Sequence, residues 1–183
     1  MTGPGRAVGA SMLAVVVALV ACAPIARPGS RSAGSAQPII TPEASLSAQV
    51  RASAEVVRAA LSGAGYRLDD VRTPVRPAEP ASFATVPRAV LQVDTGDANQ
   101  GYLVIYDLPD VTSAATHGRE LAEYVGSGFG QTNYPSDAQF SVSQLGATLL
   151  FTWWSREGSS DAARAERAFE TVRAVGVPLS VPK

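Results

Sequence analysis

Two stretches, "GYLVIYD" at residues 101–107 and "TLLFTWWS" at 148–155, constrain the fold more than any other part of the chain. Each is short, rich in β-branched and aromatic residues, and bounded by turn residues, which is the signature of a strand. Successive side chains of a strand point to opposite faces. In the first stretch Leu103 and Ile105 face one way, and Tyr102, Val104 and Tyr106 the other. In the second, Leu149, Phe151 and Trp153 share a face, and Leu150, Thr152 and Trp154 share the opposite one. Both faces are thus largely apolar, and helices on one side alone cannot cover them. The second face is covered by the N-terminal helix or a proline-rich loop, or it is a homodimer face, or it receives a ligand or partner. On one choice of phase between the strands, Tyr102, Tyr106 and Trp154 form that candidate face, opposite Leu103, Ile105 and Trp153. A one-residue bulge would exchange the second set.

The flanking pattern supplies the remaining elements. Thr41-Pro42-Glu43 reads as a helix start, with an N-cap, a favoured first-turn proline and an acid at the positive end. Leu46, Val50, Ala54, Val57 and Leu61 then recur at helical spacing until Gly63 and Gly65. Tyr66–Val71 reads as a short strand. Residues 72–88 hold Pro74, Pro77, Pro80 and Pro87, so regular structure is not expected there; Phe83 and Val86 point to packing of its second half. Ala89–Asp94 pairs with Gly101–Asp107 about the turn "TGDANQ". Asp110 caps a helix to about Val125. Gln139–Leu145 pairs with Thr148–Ser155 about Gly146, and Ser159-Ser160-Asp161 starts a last helix to about Val175. The order predicts an α+β domain: an N-terminal helix, then two ββα units forming an antiparallel sheet with helices packed on it. Residues 42–183 are long enough to bury a sizeable core as a single domain.

The N-terminus carries an address. Arg6 precedes a 15-residue apolar run, Ala7–Ala21, broken by Gly9 and Ser11. A membrane-spanning helix needs roughly 20 residues, whereas a secretory signal core fits this length. The run closes as Leu19-Val20-Ala21-Cys22, which holds the only cysteine of the chain. This resembles the lipobox of bacterial lipoproteins. The resemblance implies that residues 1–21 are a signal peptide, that Cys22 takes a diacylglyceryl group and becomes the new N-terminus, and that the protein is an extracytoplasmic, lipid-anchored protein of the cell envelope. It covers only about the first 24 residues. A plain secretory signal cut at Ala21–Ala23 is disfavoured by Pro24, and an uncleaved anchor by the short run. Residues 22–41 comprise the lipidated cysteine and a tether rich in Ala, Ser, Gly and Pro, spanning about 22–26 Å if flexible.

Candidate chemistry is sparse. One cysteine excludes an internal disulfide framework and Cys-based clusters, and one histidine excludes multi-histidine sites. His117 falls on the flank of the 110–125 helix and reads as a boundary residue rather than a base or ligand. "GSGFGQ" at 126–131 follows a helix instead of opening one, so it reads as a helix end and flexible linker rather than a phosphate loop. "DTGDANQG" at 94–101 departs from the EF-hand register and reads as a hairpin loop in preference to a weak calcium site. Asp69-Asp70 reads as strand-end residues, and no serine lies in G-x-S-x-G.

No catalytic residue, metal site or cofactor is therefore assigned. Net charge is −1, so nucleic acid is not an expected partner. The expected activity is non-enzymatic binding of an envelope protein or a small apolar ligand. The alternative is a structural or assembly subunit of an envelope complex, with an enzyme a more distant third.

Overall fold

The computed structural model describes residues 46–71 and 76–182. The expected signal peptide, Cys22, the expected tether and the expected helix start at Thr41-Pro42 lie outside them. The described residues form an α+β structure of four α-helices and one six-stranded antiparallel sheet.

Helix α1 (Ala48–Gly63) is capped by Ser47, whose hydroxyl accepts a hydrogen bond from the Val50 amide at 3.2 Å. Its buried stripe, Val50, Ser53, Ala54, Val57 and Leu61, follows the helical period. Strand β1 (Leu68–Asp70) is followed by a one-turn 3-10 helix at Ala81–Phe83. Strands β2 (Arg88–Val93) and β3 (Tyr102–Asp107) form the first hairpin. Helix α2 (Val111–Gly126) is capped as expected by Asp110, whose carboxylate accepts from the Ser113 amide at 2.7 Å. The glycine-rich stretch expected to be a flexible linker instead forms a short helix, α3 (Gly128–Gln131), because Ser127 caps it through the Gly130 amide. Strands β4 (Gln139–Leu145) and β5 (Thr148–Trp154) form the second hairpin, followed by helix α4 (Ala162–Arg173). A final strand, β6 (Val177–Leu179), was not expected; a three-residue segment containing Pro178 carries almost no strand signal.

The sheet order is β1-β2-β3-β5-β4-β6. Both edges are short. One ends in Asp69 and Asp70, and the other contains a proline, two devices that discourage edge-to-edge pairing.

Helices cover both faces. On one, α1 and α4 close over Leu91, Val93, Leu103, Ile105 and Leu150. On the other, α2 and Phe83 close over Val90, Val104, Tyr106, Leu149 and Phe151. The first helix and the proline-rich loop both supply cover, on opposite sides.

The loop is held by a buried ion pair. Glu79 and Arg88 side chains are only 2% and 4% exposed. Arg88 donates to Glu79 and to the Phe83 carbonyl, and Tyr106 donates to Glu79 at 2.9 Å. Burial, with the Glu79 carboxylate beside it, pushes the Tyr106 hydroxyl well above its ordinary pKa, so it remains a donor. Phe83 meets the Tyr106 ring edge-on at 4.8 Å.

Candidate functional site

The strand pairing corrects the expected aromatic face. In the β3–β5 ladder Leu103 lies opposite Thr152, Val104 opposite Phe151 and Ile105 opposite Leu150. Residues directly opposite one another share a face. Trp154 therefore sits with Leu103 and Ile105 on the α1–α4 side, whereas Trp153 joins Tyr102 and Tyr106 on the α2 side. Tyr106 is fully buried beneath Phe83, and Trp154, 2% exposed, is packed with Ala165 and Phe169 of α4. Tyr102 is half-buried and borders a groove at the β1 edge. The three residues do not form one surface, and two of them are core.

The other sequence candidates fall into structural roles. His117 is half-buried on α2; its Nδ1 lies 2.9 Å from the Ser113 carbonyl and its ring meets Phe83 edge-on. In the 94–101 loop, Asp97 accepts from the Ser160 amide and hydroxyl, and Gln100 accepts from the Ser155 amide and Ser159 hydroxyl. Asp94 pairs with Arg67 at 2.9 Å, which raises the Arg67 pKa further. The loop thus fastens the turn before α4 to the end of the sheet. The neighbouring groove of about 960 Å³ is lined by Asp69, Asp70, Asp94 and Asp97. Among the described residues no three His, Cys, Asp or Glu side chains are grouped to hold a metal ion.

A cleft at the opposite edge of the sheet is the better candidate. Pairing of β6 with β4 runs only from Gln144–Val177 to Val142–Leu179. Beyond Leu179 the chain leaves the sheet, and Pro182 comes to rest against Gly126. A side chain at Gly126 would meet the Pro182 ring at 2.9 Å, so only glycine lets the tail lie there. Between the tail and the first half of β4 this leaves a cleft of about 910 Å³. Its walls include Phe140, Val142, Leu179 and Val181 on the α2 side, and Phe169 and Arg173 on the α4 side.

The floor of the cleft is a strand edge. Pro178, lacking an N–H, stands opposite Ser143. That pair is therefore the non-hydrogen-bonded kind, and by alternation the amide and carbonyl of Val142 and Phe140 point outward. Those of Val142 face Leu179; those of Phe140 face the cleft. Behind Phe140 stands an aromatic cluster, with Tyr134 meeting Phe140, Trp153 and Phe151 edge-on at 4.9, 5.3 and 6.4 Å. Burial raises the Tyr134 pKa, and its hydroxyl donates to the Ala78 carbonyl at 3.1 Å. At the rim Arg173 is paired with Glu170 at 3.1 Å. The cleft thus offers apolar and aromatic walls, one outward-facing backbone donor and acceptor, and little net charge. That combination can hold a ligand or an extended segment.

Sequence reasoning did not find this site. Its decisive features, a short sixth strand and a diverging tail, lie in "VPLSVPK", which has no periodicity to read. The one legible pointer was the tryptophan pair, of which Trp153, and not Trp154, backs the cleft. No helix of the described residues is long and apolar enough to cross a membrane. Compared with protein-family models, curated proteins and solved structures, the chain matches none.

Proposed function

We propose that this chain is a lipid-anchored binding protein of the bacterial cell envelope, held to the membrane through Cys22, whose folded domain takes a small apolar ligand or an envelope protein at the β4-edge cleft. The cleft is the observation that carries the binding role. Its volume of about 910 Å³ falls in the size range of ligand pockets, roughly 300–1,000 Å³, and its lining sets Phe140, Phe169 and Val181 beside the polar Gln131, Gln139, Ser141 and Arg173. Support for the address comes from Leu19-Val20-Ala21-Cys22 and the apolar run before it. Two or more acyl chains on one cysteine give stable anchoring, at about 0.8 kcal/mol per buried CH₂.

Native mass spectrometry of the purified protein tests the binding role. Ser180 is exposed and lines the cleft, so Ser180→Trp fills the space without touching the core. The expected outcome is a co-purifying ligand or partner on the wild-type protein that is lost from Ser180→Trp, with the urea midpoint unchanged. Equal retention by both proteins places the binding elsewhere, and no adduct on either counts against the role itself.

A further inference from the structure

Under α4 lies a small space lined by Val93, Thr95, Thr152, Trp154, Ala168 and Phe169, among others, with room of about 10 Å³ for the centre of a water-sized sphere. Four polar side chains reach it. Two are already bonded to protein groups: the Thr152 hydroxyl donates to the Tyr102 carbonyl at 2.9 Å, and Gln100 accepts through Oε1 from the Ser155 amide and the Ser159 hydroxyl. The other two are not. Thr95 Oγ1 and Trp154 Nε1 are buried on residues 3% and 2% exposed, and neither has a hydrogen-bond partner in the protein. An indole N–H can only donate, whereas a threonine hydroxyl can donate or accept. Buried polar atoms without partners are rare, because each forfeits its hydration on folding.

We infer that this space is a binding site for one water molecule, which accepts the Trp154 Nε1–H and is hydrogen-bonded to the Thr95 hydroxyl. Three facts converge on water. The space is about one water in size, near the lower limit for occupancy. The donor in it needs an acceptor that the protein does not provide. A polar pair makes the space unlike the apolar cavities that stay dry. The site shares only Phe169 with the β4-edge cleft, and it survives failure of the binding role proposed for that cleft. It joins the β2–β3 loop, through Thr95, to the end of β5, through Trp154, beneath α4.

A crystal structure of the full 183-residue chain at about 1.6 Å tests the site. The expected result is a single ordered density peak within about 3.2 Å of both Thr95 Oγ1 and Trp154 Nε1. In Thr95→Val the peak should vanish, and in Thr95→Ser, which keeps the hydroxyl, it should remain. An empty cavity in the wild-type protein overturns the inference without recourse to any variant. So does an indole N–H that donates directly to a protein carbonyl, or a water that persists undiminished in Thr95→Val.

Discussion

At the scale of single residues, the burial of Trp154 converts a candidate contact into a core position. Its ring lies 6.2 Å from that of Phe169 and packs with Ala165. Truncation leaves a cavity that α4 cannot fill without moving. Trp154→Ala is expected to cost about 3–5 kcal/mol in a urea melt, the range for large-to-small core changes. The Glu79–Arg88 pair makes a different prediction. Glu79→Ala leaves the Arg88 guanidinium buried against Tyr106 with its charge uncompensated, and should cost about 3–5 kcal/mol. Replacing both partners, Glu79→Leu with Arg88→Met, should recover part of that loss, since a buried pair is often worth no more than well-packed apolar groups of similar volume, while the buried Tyr106 hydroxyl still loses its acceptor. Urea midpoints of the two single variants and the double variant decide it; a double variant as unstable as the sum of the singles would show that the ion pair itself secures the loop. None of this was legible in the sequence. A glutamate between prolines in "PAEP" gives no sign that it will be buried, because its partners come from β2 and β3.

Elements were easier to read than their relations. Asp110 was identified as the cap of α2 because a short acceptor side chain before an apolar period has one economical use there. The strands of both hairpins were found within a residue, since glycine and asparagine turns punctuate them. The phase between β3 and β5 was not. The two strands belong to different hairpins, and with both faces of each apolar, hydrophobicity cannot say which side of one matches which side of the other. The ladder settles it through Val104 and Phe151. At this scale acid should weaken the fold. Hydrogen bonds from the Ser113 amide hold the Asp110 carboxyl below its ordinary pKa, and the Ser155 hydroxyl and Glu157 amide do the same for Asp137. A carboxyl depressed by folding contributes stability that is present above its unfolded pKa of about 4 and is lost as pH falls through the folded value. The urea midpoint should therefore decline below about pH 4, and less steeply in Asp110→Asn and Asp137→Asn. An unchanged slope in both variants would assign the acid sensitivity to other carboxylates.

For the whole molecule, the sequence conveyed the class, a sheet needing cover on both sides, and the structure shows how one chain provides it. The site at the β4 edge stayed hidden because it depends on where a tail departs from a sheet, a tertiary event with no local code. The proposed membrane attachment would involve the entire chain. Cells fed a clickable fatty acid should label the wild-type protein, and Cys22→Ser should lose the label and the membrane fraction together. Equal labelling of both proteins would exclude Cys22 as the acceptor.

The central ladder has one more consequence, and it concerns time. Strand β3 is complete at residue 107, but its outer neighbour, β5, begins only at residue 148. A chain that emerges from its N-terminus therefore presents the β2–β3 hairpin with one long edge unpaired and both faces apolar until some forty residues more have followed. At about 5–20 residues per second this interval lasts seconds, whereas hairpins form in microseconds. The finished protein guards its outermost strands with two aspartates and a proline, but those guards protect only a sheet that is already whole. The open β3 edge of the nascent chain has no such protection, and the stretch most in need of an escort is the one that ends inside the finished sheet, between β2 and β5.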